Sequence, residues 1–559
     1  MFALFASEKF LTVFDGPHHP TAALTSFSER LHILLIGDMS QETQDDDYLQ
    51  VDEAEEILER DEDHPMDSDE DQEGQEQEIV LENDSSAHFD MHKDSVFCVA
   101  QHPVHNSIVA SGSGDDTAYL FDSTPALSPP LPRSYESNPQ PKSERRSIDP
   151  ILKLDGHTDS VNAIAFTEPK GEYVLTAGLD GKLRAWRDTT PQLTGLAWEF
   201  VAEVQEVEEI NWVATCPCTK GEQQDEEKRN VVALGANDGS AWVFRIDHTD
   251  PTQPISIVQS FFQHTASCTA GAWTPDGKLL ATVSEDASFY VYDVFGAAAA
   301  AGISYSAGTS AVVGMTAEDQ RFAVDGGLYS VEVAPSGSFA AVGGAEGCIR
   351  VVGLPRLLLP SSSSKKTKGA APGQAGASAA GVILASLQAQ SDGIETLSFS
   401  SPPLNLLAAG SVDGSIALFD TAHRFAVRRH IRDAHEGSAV VKLEFLPAPS
   451  PSLSLPPAVG VPRLAGRTHS TTTGAPVPTQ SRPWLLTSVG MDGVVRRWDA
   501  RGGTAAAGQG LLKEWRGHVS LSENAEGEQS GGIMGFVQSK DGKHIVTAGD
   551  DGVVLVFEE

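Results

Sequence analysis

Basic residues are scarce in this 559-residue chain: 39 Lys and Arg stand against 78 Asp and Glu, a formal net charge of −39. A chain so acidic repels duplex DNA, RNA and anionic membrane, so a basic partner is expected and neither direct nucleic-acid contact nor a membrane is. Cysteine is also scarce. Cys98, Cys216, Cys218, Cys268 and Cys348 show no repeated paired spacing, which argues against a disulfide framework and for a reducing compartment. Cys216 and Cys218 have no second pair of thiols or histidines at zinc spacing, so no metal or other cofactor is expected. No apolar run approaches the roughly 20 residues of a membrane-spanning helix. The expected location is cytoplasmic, with the nucleus as a second site if Lys365-Lys366-Thr367-Lys368 acts as an import signal.

The charge is concentrated near the N-terminus. Residues 42–84 hold 21 Asp and Glu and one basic residue, Arg60. Self-repulsion and scarce apolar surface predict an acidic disordered tail over 39–85. Composition changes abruptly at Met39, so 1–38 is read as an unstructured leader or as sequence upstream of the true start.

From Ser86 onward the sequence repeats itself. An acidic residue followed six positions later by an aromatic or apolar one recurs in eight copies: Asp115 to Phe121, Asp180 to Trp186, Asp238 to Phe244, Asp286 to Tyr292, Glu346 to Val352, Asp413 to Phe419, Asp492 to Trp498 and Asp551 to Phe557. Each marker begins a tight turn followed by β-branched or alternating sequence, as in Val553 to Phe557, which reads as a strand. Ser111, Thr176, Thr282, Ser488 and Thr547 stand four residues before the turn residue, and His92, His157, His264, His435 and His518 stand ahead of the repeats. Three stretches interrupt the pattern, at about 123–150, 360–380 and 447–479. Rich in Pro, Ser, Thr, Gly or Ala, they cannot bury a core and read as mobile surface loops.

The His, Ser/Thr, Asp and Trp set resembles the WD-repeat family, whose four-stranded blades lock these residues into a hydrogen-bonded network. His157, Thr176, Asp180 and Trp186 form the one complete copy; Ser488, Asp492 and Trp498 belong to another. The resemblance implies an all-β propeller over 86–559, with eight blades from the count and seven as the alternative. Residues near Ser86 to Asp90 are expected to complete the last blade and close the ring. Recurrence also weighs against catalysis. A triad occurs once in an enzyme, whereas a structural network recurs in every blade, so no catalytic residue is expected.

Binding remains, and the fold implied places two positions of each repeat at the mouth of the ring. Two residues after the repeat His stand Asp94, Asp159, Glu208 and Asp392; just before the turn Asp stand Glu285 and Asp550. Such carboxylates would attract a Lys- and Arg-rich segment, or else merely cap backbone N–H groups. Glu206, Glu208 and Glu209 occupy the segment where the third copy lacks its His, which favours a ligand role.

His92 to Val99, Gln205 to Trp212, Asp492 to Arg501 and Val546 to Phe557 narrow the resemblance to the branch containing the angio-associated migratory cell protein and the fungal Sqt-type proteins. That implies a dedicated chaperone, and the chain is expected to be a monomer. Its client would be a basic large-subunit ribosomal protein of the L-sixteen family, held by its N-terminal segment and delivered to the pre-60S particle. The competing expectation is a general scaffold for signalling or trafficking proteins.

Overall fold

The computed structural model describes residues 83–559 except 125–145, 191–195, 219–225, 306–309, 358–379, 448–481, 503–509, 521 and 524–528. The expected leader, nearly all of the acidic tail and most of the three interrupting stretches lie outside the described residues.

Eight sheets form a closed ring, and each contains one of the eight markers. Blade 1 is Val96–Gln101, Ile108–Ser113, Ala118–Asp122 and Pro150–Leu154, and blade 2 is Val161–Phe166, Tyr173–Gly178, Lys182–Asp188 and Trp198–Gln205. Blades 3 to 7 repeat this antiparallel order, beginning at Ile210, Cys268, Leu328, Ile394 and Val440. The first strands of neighbouring blades touch around the whole ring, blade 8 touching both blade 7 and blade 1.

Blade 8 joins the two ends of the described chain. Its strands Ile533–Gln538, His544–Gly549 and Val554–Glu558 come from the C-terminal end, and Ala87–Phe89 adds the fourth antiparallel to Val554–Glu558, with Phe89 opposite Val554. Phe89 is fully buried and stacks on Phe121 of blade 1 at 4.5 Å. Beyond it, Arg146–Ser147 adds a short parallel fifth strand.

Sequence pattern explains the layering. The second strand of a blade lies between two sheets and is buried on both faces, so Tyr173–Gly178 and Leu485–Gly490 are buried throughout. Outer strands face solvent and mix apolar with charged residues, as in Trp198–Gln205. The turns between second and third strands need left-handed backbone. Gly181, at φ 73°, supplies it, and a Cβ there would lie 2.1 Å from the Val207 carbonyl oxygen of blade 3. Glycine therefore serves both the turn and the close approach of the next blade.

Every first strand carries a bulge near its start, for example between Val161 and Ala163, Ile210 and Trp212, Leu328 and Ser330, and Ile394 and Thr396. A bulge frees one residue from the ladder and re-aims its side chain. In blades 2, 3 and 4 that residue bridges to the next blade: Asn162 donates to the Ile210 carbonyl at 2.6 Å, Asn211 to that of Cys268 at 3.1 Å, and Thr269 to that of Leu328 at 2.6 Å. In blades 5 and 6 the residue is Tyr329 and Glu395.

Candidate functional site: an acidic mouth

The recurring histidines sit inside blades, bonded to their own repeat. His157 Nε2 lies 2.7 Å from Thr176 Oγ1, and its Nδ1 lies 3.0 Å from Asp180. His518 makes the same pair of contacts with Thr547 and Asp551, and His435 with Ser488 and Asp492. Trp498 Nε1 donates to Ser488 Oγ at 2.9 Å, so blade 7, with His435, carries a second complete set where the sequence pattern leads one to expect it in blade 2 alone. Trp186 is buried, its ring edge-on to Phe200. Burial pushes the Asp180 carboxyl up, but hydrogen bonds from His157 and the Thr158 and Lys182 amides outweigh it and hold the group below the usual carboxylate range. These contacts also fix geography, because they bring the loop ahead of each first strand to the same end as the Asp-Gly turn.

At that end the acidic residues fall into three groups rather than an even ring. The first joins blades 2 and 3. Asp159, Glu206 and Glu208 are exposed and Glu209 is half-buried. Burial raises the Glu209 carboxyl, and the Asp159 and Glu208 charges raise it further, against the pull of Asn237 Nδ2, which donates to it at 2.9 Å. Three carboxylates from two blades thus crowd one spot. In blade 3 Glu206 stands exposed where the repeat His would be, and the next residue, Val207, is buried in the core.

The second group surrounds Tyr329, whose hydroxyl is held above its ordinary pKa by burial and by the charges of Glu285, Glu395 and Asp392. Blades 4 and 6 therefore converge on the bulge residue of blade 5. Sequence patterning does not single out Tyr329 or Glu395, because the bulge that turns them is invisible in an alternating pattern. The third group lies at the seam of blades 8 and 1. There Ser95 Oγ donates to the Asp550 carbonyl at 3.2 Å, and Asp94 lies against Gly114 and Gly552.

Capping also occurs. Asp94, Asp159 and Asp392 each accept the next residue's N–H through Oδ1, at 2.8, 2.7 and 2.7 Å, and Asp550 accepts the Gly531 N–H at 2.7 Å. A carboxylate has two oxygens, so one cap leaves the second able to meet a cation. Below the mouth, the first strands carry Glu332 of blade 5 and Lys442 and Glu444 of blade 7. Burial and the Glu444 charge push the Glu332 carboxyl up to about 8, with Lys442 opposing. Lys442 Nζ donates to the Phe536 carbonyl at 2.8 Å. Among the described residues no group of His, Cys, Asp or Glu is placed to hold a metal ion.

Eight blades built on this network define a WD-repeat propeller, a fold that binds through its faces. The profile of the WD domain, G-beta repeat, matches residues 83–122, 148–187, 255–293, 381–420 and 511–558. A crystal structure of Sqt1 from Chaetomium thermophilum, bound to the N-terminus of ribosomal protein L10, is 47% identical with a TM-score of 0.66, covering 86% of this chain and all of that one. The chain belongs to the WD-repeat family, in the branch that includes Sqt1. Ribosome assembly protein SQT1 of Saccharomyces cerevisiae is 29% identical over 223 residues, which span 39% of this chain and only 43% of that protein. The human angio-associated migratory cell protein is 23% identical, over 85% of this chain and 80% of its own.

Proposed function

We propose that the protein is a dedicated chaperone for a large-subunit ribosomal protein, whose basic N-terminal segment it holds in the acidic mouth. The observation that carries this is the crowding of Asp159, Glu208 and Glu209 at the seam of blades 2 and 3, with Glu209 raised by burial and by its neighbours. A Lys or Arg placed there relieves the repulsion and gains charge-assisted hydrogen bonds. The relative bound to the L10 N-terminus supports the same assignment. The client would be of the L-sixteen family that the resemblance implies, and the L10 N-terminus is the first peptide to test. Delivery to the pre-60S particle, a monomeric carrier and a cytoplasmic location belong to the same proposal.

Calorimetric titration of the full chain with that peptide, at low and high salt, tests it. Tight binding at low salt, weakened by salt and by charge reversal at Glu206, Glu208 and Glu209, is expected. No binding at low salt would remove the chaperone role and favour a scaffold with several partners.

A further inference from the structure

The net charge of −39 conceals a basic face. From His423 to Asp433, the outer strand of blade 6, Ala426–Ile431, and its flanks carry Arg424, Arg428, Arg429 and Arg432 against one aspartate. Arg424, Arg428 and Arg432 are exposed. Arg428 is the extra residue of a bulge; it lies 3.5 Å from Asp420 and donates to the Arg501 carbonyl. Arg424 and Arg432 form no ion pair with any described residue.

Blade 7 extends the face through exposed Arg501, Lys513 and Arg516. Arg501 is held by Asp499 at 2.7 Å, while Arg516 stands 3.9 Å from both Glu436 and Glu514. Like charges press on one another here. Burial lowers the pKa of His430 and the Arg432 charge lowers it further; Arg429 is lowered by burial and in part by Arg428, against Asp499. In a ring of eight, blades 6 and 7 stand diametrically opposite blades 2 and 3, which hold the Asp159, Glu208 and Glu209 cluster. The propeller is electrically two-sided.

We propose that the outer face of blades 6 and 7 is a second binding surface, for the phosphodiester backbone of RNA. The inference rests on the chaperone role above, since a carrier delivering to a ribosomal precursor meets RNA on arrival. Five of the six exposed cations are arginine, whose planar fork pairs with phosphate oxygens two at a time. Arg428 lies on the edge strand, with Arg424 and Arg432 in the turns that flank it, so the three belong to a single blade edge. Whole-chain repulsion acts at long range and is screened over about 10 Å at 0.1 M salt, which leaves a local basic strip able to act at contact.

Fluorescence anisotropy of the full chain with a labelled RNA duplex of about 20 base pairs, at about 50 and 200 mM salt, tests this. Binding at the lower salt, weakened steeply at the higher, is expected. Arg424→Glu with Arg432→Glu should weaken it about tenfold or more while leaving L10-peptide binding and the melting temperature unchanged, because neither side chain has an ion-pair partner among the described residues to lose. No binding at low salt, or binding indifferent to the double reversal and to Arg424→Gln with Arg432→Gln, overturns the proposal. Equal displacement of the RNA by a glutamate-rich peptide of matched charge overturns it in favour of an acidic protein partner. Loss of peptide binding with RNA binding retained would instead count against the chaperone role alone.

Discussion

At the scale of single residues, the same chemistry serves two ends. An aspartate between a histidine and backbone amides stabilises a blade; an aspartate one loop away, with an oxygen to spare, serves the mouth. Thr176→Val leaves His157 Nε2 buried without its 2.7 Å partner and should cost about 1–3 kcal/mol, read as a lower denaturation midpoint with unchanged peptide affinity. Charge reversal at Glu208 should do the opposite, leaving the midpoint unmoved and weakening the peptide. Protons follow the same division. Asp180, Asp492 and Asp551 are held low by their histidines and other donors despite burial, so the stability they contribute is present above about 3.9 and is lost as pH falls through their folded values. His92 is lowered by burial against the pull of Asp115, so the loss from that site begins below about 6.5. Glu332 behaves inversely. With its carboxyl raised to about 8, its stabilising share is complete below its unfolded value and is lost as pH rises through about 8. The melting-temperature advantage of Glu332→Gln over the wild type should therefore grow from about pH 4 to about pH 9; a pH-independent difference would contradict the assignment.

Among the elements, the strand Ala87–Phe89 carries the largest consequence for its size. Three residues pair the two ends of the described chain, and Phe89 inserts between blades 8 and 1. Phe89→Ala should cost about 3–5 kcal/mol, as for other fully buried aromatics. A chain beginning at residue 91 should expose the Val554–Glu558 edge and self-associate, while one beginning at residue 83 keeps the strand and stays dispersed; light scattering separates the two. The bulges are the other element with a functional reach. In blades 2 to 4 they spend their freed residue on the neighbouring blade, and in blades 5 and 6 they present Tyr329 and Glu395 beside Glu285 and Asp392. Glu395→Lys should weaken the basic peptide.

For the whole molecule, the decisive quantity is where charge lies rather than how much there is. A cationic client approaching the mouth is steered by complementary potential, so its association rate should fall steeply with salt while dissociation changes less; stopped-flow mixing at several ionic strengths measures both. Binding should also release protons. A client cation favours the ionised form of Glu209, which is raised when the mouth is empty, so affinity should drop as pH is lowered toward the carboxylate range. A scaffold reading its partners by mixed apolar and polar surface would show neither dependence strongly.

Much of this was legible along the chain. The eight markers, the turn glycines and the repeat histidines are local signals, and they predicted eight blades, their order and the closing segment, because each blade is one supersecondary unit written out in sequence. The acidic character of Asp94, Asp159, Glu208, Glu209, Glu285, Asp392 and Asp550 was legible for the same reason, as a residue type at a fixed offset. Their grouping was not. That Asp159 meets Glu209 across a seam, that Glu285 and Asp392 flank Tyr329, and that the arginines of blades 6 and 7 lie opposite the densest carboxylates depend on ring closure, which brings distant repeats to fixed angles. Periodicity determined the blades; only the closed ring decided which charges face one another, since electrostatic energy depends on distance in space and not along the chain.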